Sequence, residues 1–232
     1  MNRLQSSTVA LILAVAGCGG GGGTGSSDGA VSTADLAMAM GDGPPPAGAD
    51  LAAATEVLSN VAGKVCDDFV APDKGEERHW AAARLTPSKA PFEVTAIRYR
   101  LVHGSLPMEM INCKADLAHA IEVYVVAATA PPASPMAAAR IDVPAGGTPM
   151  GKERMVEHKL AQPVMLGAGQ HLFVALQYAG TSPDVLCVTS CGPGTADRNY
   201  WSNAEKAPFK WATLASLGLQ TSLHVEAVGT AK

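Results

Sequence analysis

The chain is poor in aromatic residues, in charge and in long apolar runs. Phe, Trp and Tyr make up 5% of the 232 residues, and Asp, Glu, Lys and Arg together 16%. With a formal net charge of −4 there is no basic surplus to meet a phosphate backbone, which argues against nucleic acid as a partner. No stretch approaches the roughly 20 consecutive apolar residues that a spanning helix needs. The six histidines, His79, His103, His119, His158, His171 and His224, form no HExxH or HxH pair. There is no G-x-S-x-G elbow, and the glycine run at 19–23 has no following Lys and helix to make it a phosphate cradle. No catalytic residue and no cofactor is therefore expected. The apolar fraction, 47%, is still too high for a wholly disordered chain, although Ala and Gly inflate it without supplying large core side chains.

The N-terminus carries an export pattern. Arg3 precedes the apolar run Val9 to Ala16, then Gly17 and Cys18. The run is too short to span a bilayer and fits a secretory signal peptide. The ending Val15-Ala16-Gly17-Cys18 resembles the lipobox of bacterial lipoproteins, with Val15 where Leu is commoner. That resemblance implies cleavage of residues 1–17, lipid attachment at Cys18 and a membrane partner held through the lipid. Several acyl chains would hold firmly where one gives only marginal binding. Gly19 replaces the Asp that often retains such proteins at the inner membrane, so the resemblance favours the outer membrane of the cell envelope.

Residues 18–55 read as a disordered tether. Five glycines are followed by Thr24-Gly25-Ser26-Ser27, and then Asp28, Asp35, Asp42 and Asp50 are scattered among Ala, Gly, Met and Pro44-Pro45-Pro46. Such a composition cannot repay the entropy of ordering. Ala34-Asp35-Leu36-Ala37 returns as Ala49-Asp50-Leu51-Ala52, a low-complexity echo rather than a solenoid. Leu51 to Leu58 could form a helical turn or two, marginal alone.

From residue 56 to 232 the pattern becomes that of an all-β, antiparallel sandwich. The predicted strands are Val61 to Ala71, Phe92 to His103, Ala120 to Ala128, Gln170 to Tyr178 and Thr221 to Val228, with shorter ones at Met155 to Leu160, Val185 to Val188 and Asn199 to Asn203. Alternation in Phe92 to His103 slips near Ala96-Ile97, the mark of a β-bulge. Leu172, Val174, Leu176 and Tyr178 share one face of their strand, opposite His171, Phe173, Ala175 and Gln177. In the last strand Leu223, Val225 and Ala227 point inward, and His224 and Glu226 outward. Turn formers lie between, among them Pro131-Pro132, Gly146-Gly147 and Gly192-Pro193-Gly194. Many short strands and no amphipathic helix indicate a sandwich.

Val65-Cys66-Asp67-Asp68-Phe69-Val70, with Phe92 to Ile97, resembles the opening of secreted bacterial β-sandwich domains that carry an Asp-Asp-Phe motif. Asn199-Tyr200-Trp201-Ser202-Asn203, Phe209-Lys210-Trp211 and Leu223 to Ala227 resemble their close. The resemblance implies a jelly-roll-like fold and secretion, but no reaction. Cys66 stands where that family carries a small residue, which suggests a cross-link.

With Cys18 lipidated, Cys66, Cys113, Cys187 and Cys191 remain, an even number that in an exported chain favours disulfides, with three pairings open. Cys187 with Cys191 would close a small loop and leave Cys66 with Cys113. A zinc site is the sharper alternative, disfavoured because it usually needs two close pairs. Asp67 and Asp68 are weak calcium candidates without an acidic loop of ligand spacing. Glu76-Glu77 reads as a solvated turn. Tyr200, Trp201 and Trp211 are candidates for stacking on sugar rings, although burial is the commoner fate of Trp. Three functions follow: a lipid-anchored envelope protein with a structural or binding role toward a glycan or envelope protein, a carbohydrate-binding module, or a hydrolase whose site assembles only in three dimensions.

Overall fold

A computed structural model of the chain describes residues 55–106, 110–146, 153–195 and 197–232. The expected signal peptide at 1–17, the lipid-attachment candidate Cys18 and the expected tether to residue 54 lie outside the described residues. The strands are β1 (Glu56–Ser59), β2 (Val65–Val70), β3 (Trp80–Leu85), β4 (Phe92–Val102), β5 (Gly104–Leu106), β6 (Ile111–Cys113), β7 (His119–Val126), β8 (Ala139–Val143) and β9 (Glu153–Leu166). They continue as β10 (His171–Gln177), β11 (Gly180–Thr181), β12 (Asp184–Val185), β13 (Cys187–Gly192), β14 (Asn199–Ser202), β15 (Trp211–Thr213), β16 (Ser222–Leu223) and β17 (Val225–Ala231). Among the described residues the one helical element is a 3-10 turn at Ala215–Leu217, and no helix is long and apolar enough to cross a membrane.

Two sheets face each other. In the first, β9 runs along one edge of β4, and β17 and β13 along the other; β1 pairs with β17, and β2 and β16 with β13. The second has the order β15-β14-β3-β10-β7-β8. Taken along the chain, β2, β3, β4, β7, β8, β9, β10 and β13 cross from sheet to sheet at every step except the β7–β8 pair. The fold is therefore an antiparallel, jelly-roll-like β-sandwich. A third, small sheet, β11-β12-β6-β5, includes one parallel pair, β12 with β6.

The core between the sheets is mostly aliphatic, with Phe92, Tyr99, Tyr178 and Trp201 as its aromatic members. Phe92, Val94, Ile97, Tyr99 and Leu101 of β4 and Val225 and Ala227 of β17 meet Ala81, Ala83 and Leu85 of β3, Ile121 and Val123 of β7 and Leu172, Val174 and Leu176 of β10. The inward set of β4 changes parity between Val94 and Ile97. The register shifts there against both neighbours, with Thr95 as the extra residue opposite β17. Without that bulge, one half of β4 would turn its apolar side chains to solvent.

The outer face of the second sheet is buried as well. Trp80 and Ala82, Ala120 and Tyr124, Phe173 and Ala175, and Tyr200 form a separate cluster with Phe209. Two segments of the chain lie across it, anchored by Phe209 N–H to Ala133 O at 2.6 Å, Trp211 Nε1 to Pro132 O at 3.0 Å and Trp80 Nε1 to Glu205 O at 3.0 Å. This coverage explains why both faces of β7 and β10 read as apolar.

Several expectations change. Glu56 to Ser59 is strand β1 against β17 rather than the end of a helical turn, because tertiary pairing outweighs the weak propensity of a short Ala-rich segment. The last strand breaks at His224 into β16 and β17, and His224, expected outward, is buried at 8% exposure. Strands β3 and β8 are additional to those the pattern indicated.

Candidate functional site

Two disulfides join Cys66 to Cys191 and Cys113 to Cys187. The small loop expected between Cys187 and Cys191 does not form. Both lie on β13 four residues apart, and an extended strand separates such positions by about 13 Å, far beyond disulfide reach. The pairings follow strand adjacency instead. The register of β2 on β13 runs Asp68 with Ser190 and Val65 with Gly192, so Cys66 and Asp67 together oppose the single residue Cys191. That bulge lets the two sulfurs meet across neighbouring strands. Cys113, at the end of β6, ties the small sheet to β13 through Cys187, and both half-cystines are fully buried among Phe69, Ala71, Val102, Ile111 and Val185.

His224 joins the first disulfide. A ring nitrogen and the Cys66 and Cys191 sulfurs lie within 4.8 Å of one another. His224 Nε2 also lies 3.6 Å from Glu226 Oε1. His224 together with Ser59 and Arg98 holds the Glu226 carboxyl below its ordinary range, against the opposing effect of burial.

A second polar cluster penetrates the core. Tyr99 of β4 lies 2.6 Å from His119 Nε2 and 3.1 Å from His158 Nε2. His119 Nδ1 is 2.8 Å from the Leu117 carbonyl, which can only accept, so that nitrogen carries the proton. Nε2 of the neutral ring is then an acceptor, and the order of donation is His158 to Tyr99 to His119. Burial pushes the Tyr99 phenol well above its ordinary range and both imidazoles below theirs, His158 adding to the effect on His119.

The sugar-stacking candidates are placed differently from what stacking requires. Tyr200 and Trp201 are buried at 5% and 4% exposure. The Tyr200 hydroxyl donates at one of two carbonyls, Thr129 O at 2.6 Å or Asp197 O at 2.7 Å, and Trp201 tilts against Tyr178 in the inter-sheet core. Trp211 is half-buried beside Phe209. Neither Tyr200 nor Trp201 offers a free ring face.

Asp67 is exposed, and Asp68 Oδ1 accepts from the Phe69 N–H at 2.8 Å. Among the described residues the group able to hold a metal is Cys66, Cys191 and His224, and neither aspartate belongs to it. Asp197, a carboxylate elsewhere on the same domain, is engaged by Arg84 Nη2 at 2.8 Å, whose guanidinium holds its carboxyl below the ordinary range. Glu76 is not solvated as its turn suggested: it lies 3.8 Å from His79, with burial raising its carboxyl.

Sequence reasoning missed His224 as a partner of the cysteines and Tyr99 as a partner of two histidines. The spacing of these residues along the chain carries no such signal, because each group is assembled from three strands or their edges.

Fold and site together define a disulfide-stapled, jelly-roll-like β-sandwich. No family model matches the chain, and no curated protein does. A solved structure described as the cysteine protease and lectin-like domains of Cwp84, a surface layer associated protein of Clostridium difficile, is similar at a TM-score of 0.38 and 10% identity. The match covers 77% of this chain and 36% of that one, so the chain spans about a third of its length. A likeness at that score carries no argument about function.

Proposed function

We propose that this protein is a lipid-anchored component of the bacterial cell envelope whose β-sandwich has a structural or ligand-binding role and no catalytic activity of its own. The observation that carries the reading is the pair of disulfides, a form of cross-link that persists in oxidising compartments outside the cytosol. It agrees with the signal pattern and the lipobox-like Val15-Ala16-Gly17-Cys18. The long Gly- and Ala-rich stretch then serves as a spacer between membrane and domain, and the second sheet, closed on both faces, serves as a rigid body.

Replacing Cys18 with Ser and fractionating cells tests the proposal. The unaltered protein is expected in the membrane fraction, with an intact mass corresponding to a start at Cys18 plus acyl chains and a gain of about four hydrogens on reduction, two per disulfide. Membrane retention of the Cys18→Ser variant equal to that of the parent would overturn the anchor.

A further inference from the structure

The His224 ring is fixed by its backbone. Its N–H donates to Thr189 O at 2.8 Å on β13, and its carbonyl accepts from Arg100 N–H at 3.1 Å on β4. The side chain is 10% exposed, and its Nδ1 is buried with no hydrogen-bond partner among the described residues. A buried ring nitrogen is rarely left unpaired, so its retention calls for a reason. His224 Nε2 lies 3.6 Å from Glu226 Oε1, and a carboxylate beside the ring is the kind of partner that orients metal-ligating histidines. One ring nitrogen and two cysteine sulfurs lie within 4.8 Å of one another. Two sulfurs and an imidazole nitrogen are the donor set of thiophilic cations such as zinc, and three protein ligands leave a fourth coordination position for water.

We propose that Cys66, Cys191 and His224 form a redox-gated zinc site, closed while the cysteines are joined and opened when a dithiol reduces them. A thiolate of the dithiol attacks the sulfur of Cys66, the less buried residue of the pair. The Cys66–Cys191 bond breaks and the Cys191 sulfur leaves as a thiolate, which takes up a proton. The second sulfur of the dithiol then attacks the mixed disulfide and releases Cys66. Two electrons and two protons have passed to the protein, and the dithiol departs as its own disulfide. Zinc displaces the two thiol protons as both sulfurs bind, and His224 supplies the third ligand. Cys113–Cys187 is the internal control: it is fully buried among apolar side chains, and among the described residues no histidine nitrogen completes a metal-holding group with it.

The test uses the full chain, treated with limiting dithiothreitol, desalted and titrated with zinc against a chromophoric chelator. Cys66 and Cys191 are expected to be alkylated before Cys113 and Cys187 in mass mapping. The reduced chain is expected to bind one zinc ion, which then protects those two cysteines, and the oxidised chain none. His224→Ala should weaken zinc at least tenfold, and the Cys66→Ser/Cys191→Ser double variant should bind none while retaining the Cys113–Cys187 bond. Cobalt in place of zinc should show thiolate charge-transfer absorption that diminishes in His224→Ala. If reduction unfolds the chain, zinc should restore the far-ultraviolet β signal. Absence of stoichiometric zinc binding, equal affinity in His224→Ala, zinc held by the double serine variant, or an unfolded reduced chain that zinc fails to refold would each overturn the proposal.

Discussion

The Tyr99 hydroxyl lies 2.6 Å from His119 Nε2, in a core built largely of apolar side chains. The His119 ring is oriented by the Leu117 carbonyl, so its bare nitrogen depends on that one phenolic proton. Tyr99→Phe keeps the ring volume but leaves the nitrogen unpaired. The variant should lose about 1–3 kcal/mol, read as a lower urea midpoint at unchanged slope. An unchanged midpoint would show that water reaches His119.

Acid should weaken the fold in the histidine range. Burial holds His119 and His158 below the ordinary histidine value of about 6.5, so between that value and the folded-state values the unfolded chain binds more protons. Stability contributed by these groups is complete above about pH 6.5 and is lost as pH falls below it. Asp197 and Glu226, held low, withdraw their contributions only in the more acidic carboxylate range, so the two losses separate. Urea midpoints from pH 7.5 to 5.5 should fall, and fall less in His158→Gln. A flat profile would contradict the buried neutral imidazoles.

Removing the deeper cross-link should cost more than a typical substitution. Cys113 and Cys187 are 74 residues apart, and closing a loop of that size constrains the unfolded chain by about 4 kcal/mol in the chain-entropy account. The Cys113→Ala/Cys187→Ala variant should show a loss of that order by denaturation under oxidising conditions. A loss under about 1 kcal/mol would mean that the unfolded chain is already constrained there.

Gly229 admits no side chain. A Cβ at this position would collide with the Glu93 carbonyl and the Phe92 ring, where β17 meets the bulge in β4. Gly229→Ala should therefore destabilise by about 1–3 kcal/mol, the usual penalty of overpacking, although alanine is otherwise acceptable in a strand. A neutral result would show that the bulge can slide.

Acrylamide quenching should distinguish the three tryptophans. Trp80 and Trp201 are buried at 3% and 4%, and Trp211 is half-buried. Trp211→Phe should remove most of the quenchable emission. Strong residual quenching would show that the covering segments open, and a glycan that shields Trp211 in the parent would favour the carbohydrate-binding alternative.

The strands legible in the sequence are those in which β-branched and aromatic residues alternate. Gln170 to Tyr178 matches β10 within a residue at each end, and Phe92 to His103 matches β4 together with its bulge. Strand β3, Trp-Ala-Ala-Ala-Arg-Leu, sits in the middle of the second sheet with every residue buried, yet it carries no β-branched side chain. Alanine is chosen there because both faces are crowded, and crowding is a property of the packed layers rather than of the segment. Arg84 escapes notice for a similar reason: its guanidinium is neutralised by Asp197 and the Thr129 carbonyl, residues distant in sequence. Cysteine pairing was open because sequence separation says nothing of which strands lie side by side. The burial of His224 was hidden because the disulfide beside it is formed by residues on two other strands.

The segments around Pro132 and Phe209 that lie across the second sheet occupy the surface a jelly roll could offer to a guest. In effect the chain is its own ligand there. Diversification of this protein is thereby channelled: new recognition would have to arise on the rims or on the opposite sheet, because a polar residue introduced at the buried positions of β3 or β10 would have no solvent to enter.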